Sequence, residues 1–126
     1  MAFRFESLET FHLALDFVAA AYDKTKKFPT QEKFDLTSQT CRAANSVALN
    51  IAEGSARRGT RDYQKFLDTA WGSLAEVQTA LTMANHLGYL EPTSFAKLEA
   101  LATETSKTLF GLLRKISLAA DRPKSR

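Results

Sequence analysis

The chain has 126 residues, 44% of them hydrophobic, and a net charge of +3. That is one domain with enough apolar material for a core, and only five glycines and three prolines are available for loops. The single cysteine, Cys41, excludes an internal disulfide and fits a reducing, cytoplasmic setting, and no apolar run reaches the ~18 residues of a membrane span.

The first helix is expected over about residues 7–26, where Leu8, Phe11, Leu15, Val18 and Tyr22 recur at three- and four-residue spacing. Phe28-Pro29 stops it, and Thr30 to Asp35 should form a short turn. The second helix is expected over 37–58, with Thr37 as N-cap and Gly59 as C-cap. Within it, Ala43 to Ala52 carries no charge and is small or apolar on every side, interrupted only by Asn45, Ser46 and Asn50. A surface helix keeps one polar face, so this one should be surrounded by protein, other subunits included.

The third helix is expected over 61–87, capped by Thr60, with Asp62 complementing the dipole. Tyr63, Phe66, Ala70, Ser73, Val77, Ala80, Ala84 and Leu87 form a seven-residue repeat that Gly88 ends. The fourth helix, over 93–119, starts at Pro92-Thr93 and keeps the same period through Phe95, Leu98, Ala102, Thr105, Leu109, Leu112 and Ile116. Residues 121–126 form a basic tail. No strand pattern is present. Residues 1–120 therefore read as an all-α, antiparallel up-down-up-down four-helix bundle.

On helix two, Gln39, Ala43, Ser46, Asn50, Glu53 and Arg57 share one face, and helix three offers Thr69, Ser73, Glu76 and Ala80 in the same rhythm. Buried polar groups need partners, because an unpaired one costs on the order of 1–3 kcal/mol. One reading of Gln39, Ser46, Asn50, Glu53, Ser73 and Glu76 is a hydrogen-bonded structural seam that fixes helix register and assembly. The other is a catalytic acid–base pair of Glu53 and Glu76. Catalysis would also want a nucleophile, a metal set or a cleft. His12 and His86 have no ligand partner at helical spacing, and there is no Glu-x-x-His pair, Gly-rich phosphate loop or CxxC. The expectation is a structural seam, no enzyme, no metal and no cofactor.

The charge is uneven. Residues 1–54 hold 6 Lys/Arg and 7 Asp/Glu, whereas residues 55–126 hold 11 and 7. Arg57, Arg58, Arg61 and Lys65 gather where helix two ends and helix three begins, a pattern that suits phosphate. A solvated corner is the plainer reading of the same residues. Arg42 flanks the seam and is a further candidate. Trp71 lies off the core repeat, as a subunit contact or a base-stacking platform, and His12 falls at the surface or boundary of helix one.

Several motifs also resemble a known family. They are Phe28-Pro29, Glu32, Phe34, Leu36, Gln39, Arg42-Ala43-Ala44, and Ser46 with Asn50-Ile51-Ala52-Glu53-Gly54. Later come Phe66-Leu67, Ala70, Gly72-Ser73, Glu76 and Leu87-Gly88-Tyr89-Leu90. Together they are similar to the bacterial four-helix-bundle family of 23S rRNA intervening sequence proteins, also called S23 ribosomal proteins, over about Phe5 to Leu118. The resemblance implies a bundle that assembles as a ring, commonly a homopentamer, and it carries over no catalytic residue. A related protein, the accessory variability determinant of diversity-generating retroelements, is a basic pentamer that binds a reverse transcriptase and nucleic acid. Asp35 departs from the glycine that usually precedes the leucine.

The expected function is thus a cytoplasmic homo-oligomer that binds RNA or an RNA-handling protein, with phosphate contacts from Arg57, Arg58, Arg61 and Lys65, and with Arg42 possible. The alternative is a protein-only scaffold or an accessory subunit for a reverse transcriptase.

Overall fold

The computed structural model describes residues 4–121. Four helices, α1 (Glu9–Thr25), α2 (Leu36–Ser55), α3 (Thr60–His86) and α4 (Pro92–Ala120), are preceded by a single 3-10 turn at Arg4–Ser7, and a second such turn at Thr30–Glu32 lies between α1 and α2. Among the described residues there is no strand. Each helix packs on its two neighbours in cyclic order, α1 on α2, α2 on α3, α3 on α4 and α4 on α1, and the backbones of the diagonal pairs stay farther apart. The chain is therefore an antiparallel, up-down-up-down four-helix bundle. Of the basic tail expected over 121–126, all but Asp121 lies outside the described residues.

The core of α1 is displaced from the expected stripe. Leu15 and Tyr22 are exposed, whereas Thr10, Ala14, Phe17, Ala21 and Thr25 are buried. Small residues win the interior because they let α1 approach its neighbours, and Phe17 alone then fills the gap. On α3 the repeat is buried from Tyr63 to Ala84 except Phe66, which is half-buried, and Leu87, which is exposed; Leu67, Leu74 and Leu81 widen the stripe. On α4, Leu98, Ala102, Thr105 and Leu109 are buried.

Several helix ends differ from expectation. Leu36, one residue before the expected cap Thr37, opens α2, and Asp35 accepts a hydrogen bond from Gln39 Nε2 at 3.1 Å instead of capping the backbone. The backbone at Asp35 has φ −125°, so nothing there demands glycine. At its far end α2 stops at Ser55, not Arg58. Ser55 Oγ donates to the Ala52 carbonyl at 2.8 Å, and the Arg4 guanidinium donates to the Ser55 carbonyl through Nε at 3.0 Å and Nη2 at 2.6 Å. A side chain from outside thus satisfies a carbonyl that the helix would otherwise have to extend to pair. Gly59 is consequently the residue before α3, where Thr60 is the first helical residue and not its cap.

The other end of the bundle is tied by side chains from both interhelical connections. After α3, Gly88 takes φ +82°, with Gly88 N–H donating to Asn85 O at 3.1 Å and Tyr89 N–H to Ala84 O at 2.9 Å, a Schellman closure. This aims Tyr89 at the α1–α2 connection. Its hydroxyl donates to Glu32 Oε2 at 2.8 Å, and its ring lies 5.6 Å from that of Phe28. Donation to Glu32 and burial both push the Tyr89 phenol above its ordinary pKa.

Candidate nucleic-acid interface

The basic corner is built by a four-residue turn, residues 56–59, between α2 and α3. Arg57, Arg58, Arg61 and Lys65 are all exposed there. Arg57 is held: Nη2 donates to Glu53 Oε1 at 3.1 Å, and its guanidinium lies 4.5 Å from the centre of the Phe66 ring. The side chains of Arg58, Arg61 and Lys65 make no hydrogen bond or ion pair with any described residue. They point at solvent beside the amino end of α3, whose first amides suit an anion, although Asp62 in the first turn competes. Arg42, also exposed, does not join them: it lies about 20 Å back along α2 at 1.5 Å per residue.

Arg4 is a fifth cation at this corner, and the sequence signals nothing about it. It acts structurally, bonding the end of α2 as described and lying 4.9 Å over the Tyr63 ring. Burial raises the Tyr63 phenol above its ordinary pKa, and the Arg4 charge partly opposes this.

The polar residues of the expected seam separate into three places. At the centre, Ser46 Oγ and Ser73 Oγ are 2.7 Å apart across α2 and α3, and Asn50 Nδ2 donates to Ser46 O at 2.8 Å and Ser46 Oγ at 3.0 Å. Toward one end, Gln39 and Glu76 line a shallow groove with Gly72 and Met83, and both are exposed. Toward the other, Glu53 is exposed and paired with Arg57. Because α2 and α3 run antiparallel from the Ser46–Ser73 contact, Glu53 and Glu76 stand about 15 Å apart along the bundle. They cannot share a substrate proton, so the geometry does not form the acid–base pair considered from the sequence. Among the described residues no three His, Cys, Asp or Glu side chains cluster to hold a metal.

Two substitutions separate these roles. Ser73→Ala removes a mostly buried hydroxyl contact and is expected to lower stability by about 1 kcal/mol in denaturant unfolding. Glu53→Ala, which breaks an exposed pair four residues apart, should change it by no more than about 0.5 kcal/mol.

Apolar side chains remain outside the core. On α1 and α2, Leu15 and Leu49 are exposed beside a groove of about 400 Å³ that Phe5, Phe11, Val18 and Ala52 also line. On α3 and α4, Trp71 and Phe110 are exposed with ring centres 6.1 Å apart, beside a groove of about 450 Å³ that Leu113 and Leu118 also line. The α2 helix is therefore not enclosed by its own chain, since Leu49 is 64% exposed. His12 is exposed, and Cys41 is half-buried with its sulfur 3.4 Å from Thr25 Oγ1. No helix among the described residues is long and apolar enough to cross a membrane.

The fold and its corner define an all-α four-helix bundle with a basic end and exposed apolar flanks. The family model described as 23S rRNA-intervening sequence protein matches residues 6–111, and the chain belongs to that family. A crystal structure of a protein with unknown function from the S23 ribosomal protein family of Bacteroides thetaiotaomicron has the same fold, with a TM-score of 0.77 at 20% identity. That likeness covers 83% of this chain and 95% of the other. No curated protein matches the chain.

Proposed function

We propose that this chain is a non-enzymatic, cytoplasmic bundle that assembles with copies of itself, as a ring of five, and binds RNA through its α2–α3 corner. The observation that carries RNA binding is the gathering of Arg58, Arg61 and Lys65, without a hydrogen-bond or ion-pair partner among the described residues, at one end of the bundle. Membership of a family described by 23S rRNA supports the same reading. Arg57 contributes charge while its stacking on Phe66 holds it in place. Assembly is supported by the exposed apolar residues on both flanks, which a monomer has no use for. A ring with parallel bundle axes sets every copy of the corner on one rim, so weak phosphate contacts add.

The test is RNA binding by the purified protein at several salt concentrations, with the mass of the assembly measured in parallel. Phosphate contacts make log K fall linearly with log salt, by about 0.7 per phosphate contacted on a single strand. The triple variant Arg58→Ala, Arg61→Ala, Lys65→Ala should lose most affinity and flatten that slope by about 2 per protomer engaged. An intact oligomer without RNA affinity, or a triple variant with an unchanged slope, overturns the reading. The first of those results favours a protein-only scaffold, such as an accessory subunit of a reverse transcriptase, and the apolar flanks are what such a partner would grip.

A further inference from the structure

The end of the bundle opposite the basic corner holds a second cationic recess. It lies between the end of α1 and the head of α4, about 30 Å from the corner along the 20 residues of α2. Lys24, Lys27, Glu91 and Ser94 line it together with the α3–α4 connection, and its volume is about 200 Å³. That is below the ~300–1,000 Å³ of sites for drug-sized ligands, so the recess suits a small group.

Ser94 marks what that group is. The residue is only 9% exposed, and its hydroxyl makes no hydrogen bond with any described residue. No fully sealed side-chain oxygen among the described residues lacks a partner, so this hydroxyl opens into the recess that Ser94 lines. The backbone beside it also has donors to spare. Pro92 opens α4 and has no N–H, the Glu91 side chain does not cap the helix, and Phe95 N–H donates to Glu91 O at 2.9 Å. The amides of Thr93 and Ser94 therefore have no acceptor within the helix, at the positive end of its dipole.

The side-chain charges agree. Lys27 is exposed and has no ion pair among the described residues. Lys24 lies 3.5 Å from Asp23, whose side chain is 66% exposed, and such a surface pair holds a lysine weakly. Glu91 is the single acid lining the recess, and it is exposed and able to turn to solvent. Glu32, on the neighbouring connection, accepts from the Tyr89 hydroxyl.

We infer that this recess binds a phosphate group, either inorganic phosphate or the phosphate of a monoester whose remainder stays outside. Its oxygens accept from the Ser94 hydroxyl and the amides at the head of α4, and Lys24 and Lys27 supply the countercharge. The site is separate from the RNA contacts proposed at the α2–α3 corner and depends on neither them nor assembly.

The test titrates isotopically labelled protein with inorganic phosphate, adenosine monophosphate and adenosine at constant ionic strength, following backbone amides by NMR. Phosphate should shift the Thr93 and Ser94 amides saturably, and adenosine should leave them unmoved. A matching response to the monophosphate assigns the site to phosphate esters, and a response to phosphate alone assigns it to the free anion. Ser94→Ala should weaken phosphate about tenfold, the scale of a hydrogen bond to a charged group. Its melting without phosphate should match the parent's, because the hydroxyl has no partner to lose. Lys27→Gln, an exposed change that leaves the fold intact, should weaken phosphate too. Shifts confined to the amides around Arg61, equal shifts from chloride or adenosine, or either variant binding phosphate as the parent does overturns the site.

Discussion

Gly54→Ala is expected to destabilise the protein by about 2 kcal/mol, although alanine is the better helix former by about 1 kcal/mol. A Cβ at this position would sit 2.8 Å from Phe66 Cβ, 3.1 Å from Tyr63 Cδ1 and 3.3 Å from the Tyr63 carbonyl oxygen. Two of those neighbours are a Cβ and a backbone oxygen, which cannot swing aside as a chain end can. The helices must separate instead, next to a turn of only four residues. Urea unfolding of the purified variant measures the loss. An unchanged or raised midpoint would mean that the α2–α3 approach is looser than this structure shows. Alanine at Gly72, where a Cβ meets nothing within 4 Å, is the control and should stabilise slightly.

Phe17→Ala should cost more, about 3–5 kcal/mol. Phe17 is fully buried, and the rest of the α1 core is alanine and threonine. Its buried apolar neighbours one turn away on α1, Ala14 and Ala21, are too small to fill the space. The same substitution at exposed Leu15 should cost well under 1 kcal/mol in the unassembled chain. Thermal and denaturant unfolding of both variants checks the pair. Comparable losses at the two positions would return the α1 core to the larger aliphatic stripe.

That contrast shows where sequence reasoning reached and where it stopped. Four helices and their order were legible because the seven-residue spacing from Tyr63 to Ala84 and from Leu98 to Leu109 is long and regular. On α1 the larger side chains Leu15 and Tyr22 suggested the core, but close helix approach put Ala14, Phe17 and Ala21 there. The end of α2 was misplaced because its terminal carbonyl is taken by Arg4, which lies 51 residues earlier in the chain. Residues 57–65 were legible as a cationic cluster because they are nearly contiguous, whereas the separation of Glu53 from Glu76 depends on an antiparallel register that no spacing within either helix reveals.

The family-like motifs gain a physical account in the same way. Phe28 and Glu32 meet Tyr89, Asn50 holds Ser46, which meets Ser73, and Gly54 meets Phe66. These are contacts that hold the bundle together. The residues proposed to touch RNA, Arg58, Arg61 and Lys65, lie outside that set.

The short turn between α2 and α3 also sets a folding order. These two helices share the bundle's most extensive contact and are separated by four residues, so closing that hairpin costs the least chain entropy. The α1–α4 contact joins the two ends of the chain and should come last. In stopped-flow measurements Gly54→Ala should therefore mainly slow refolding, whereas Phe17→Ala should mainly speed unfolding. The opposite assignment would place the nucleus on α1.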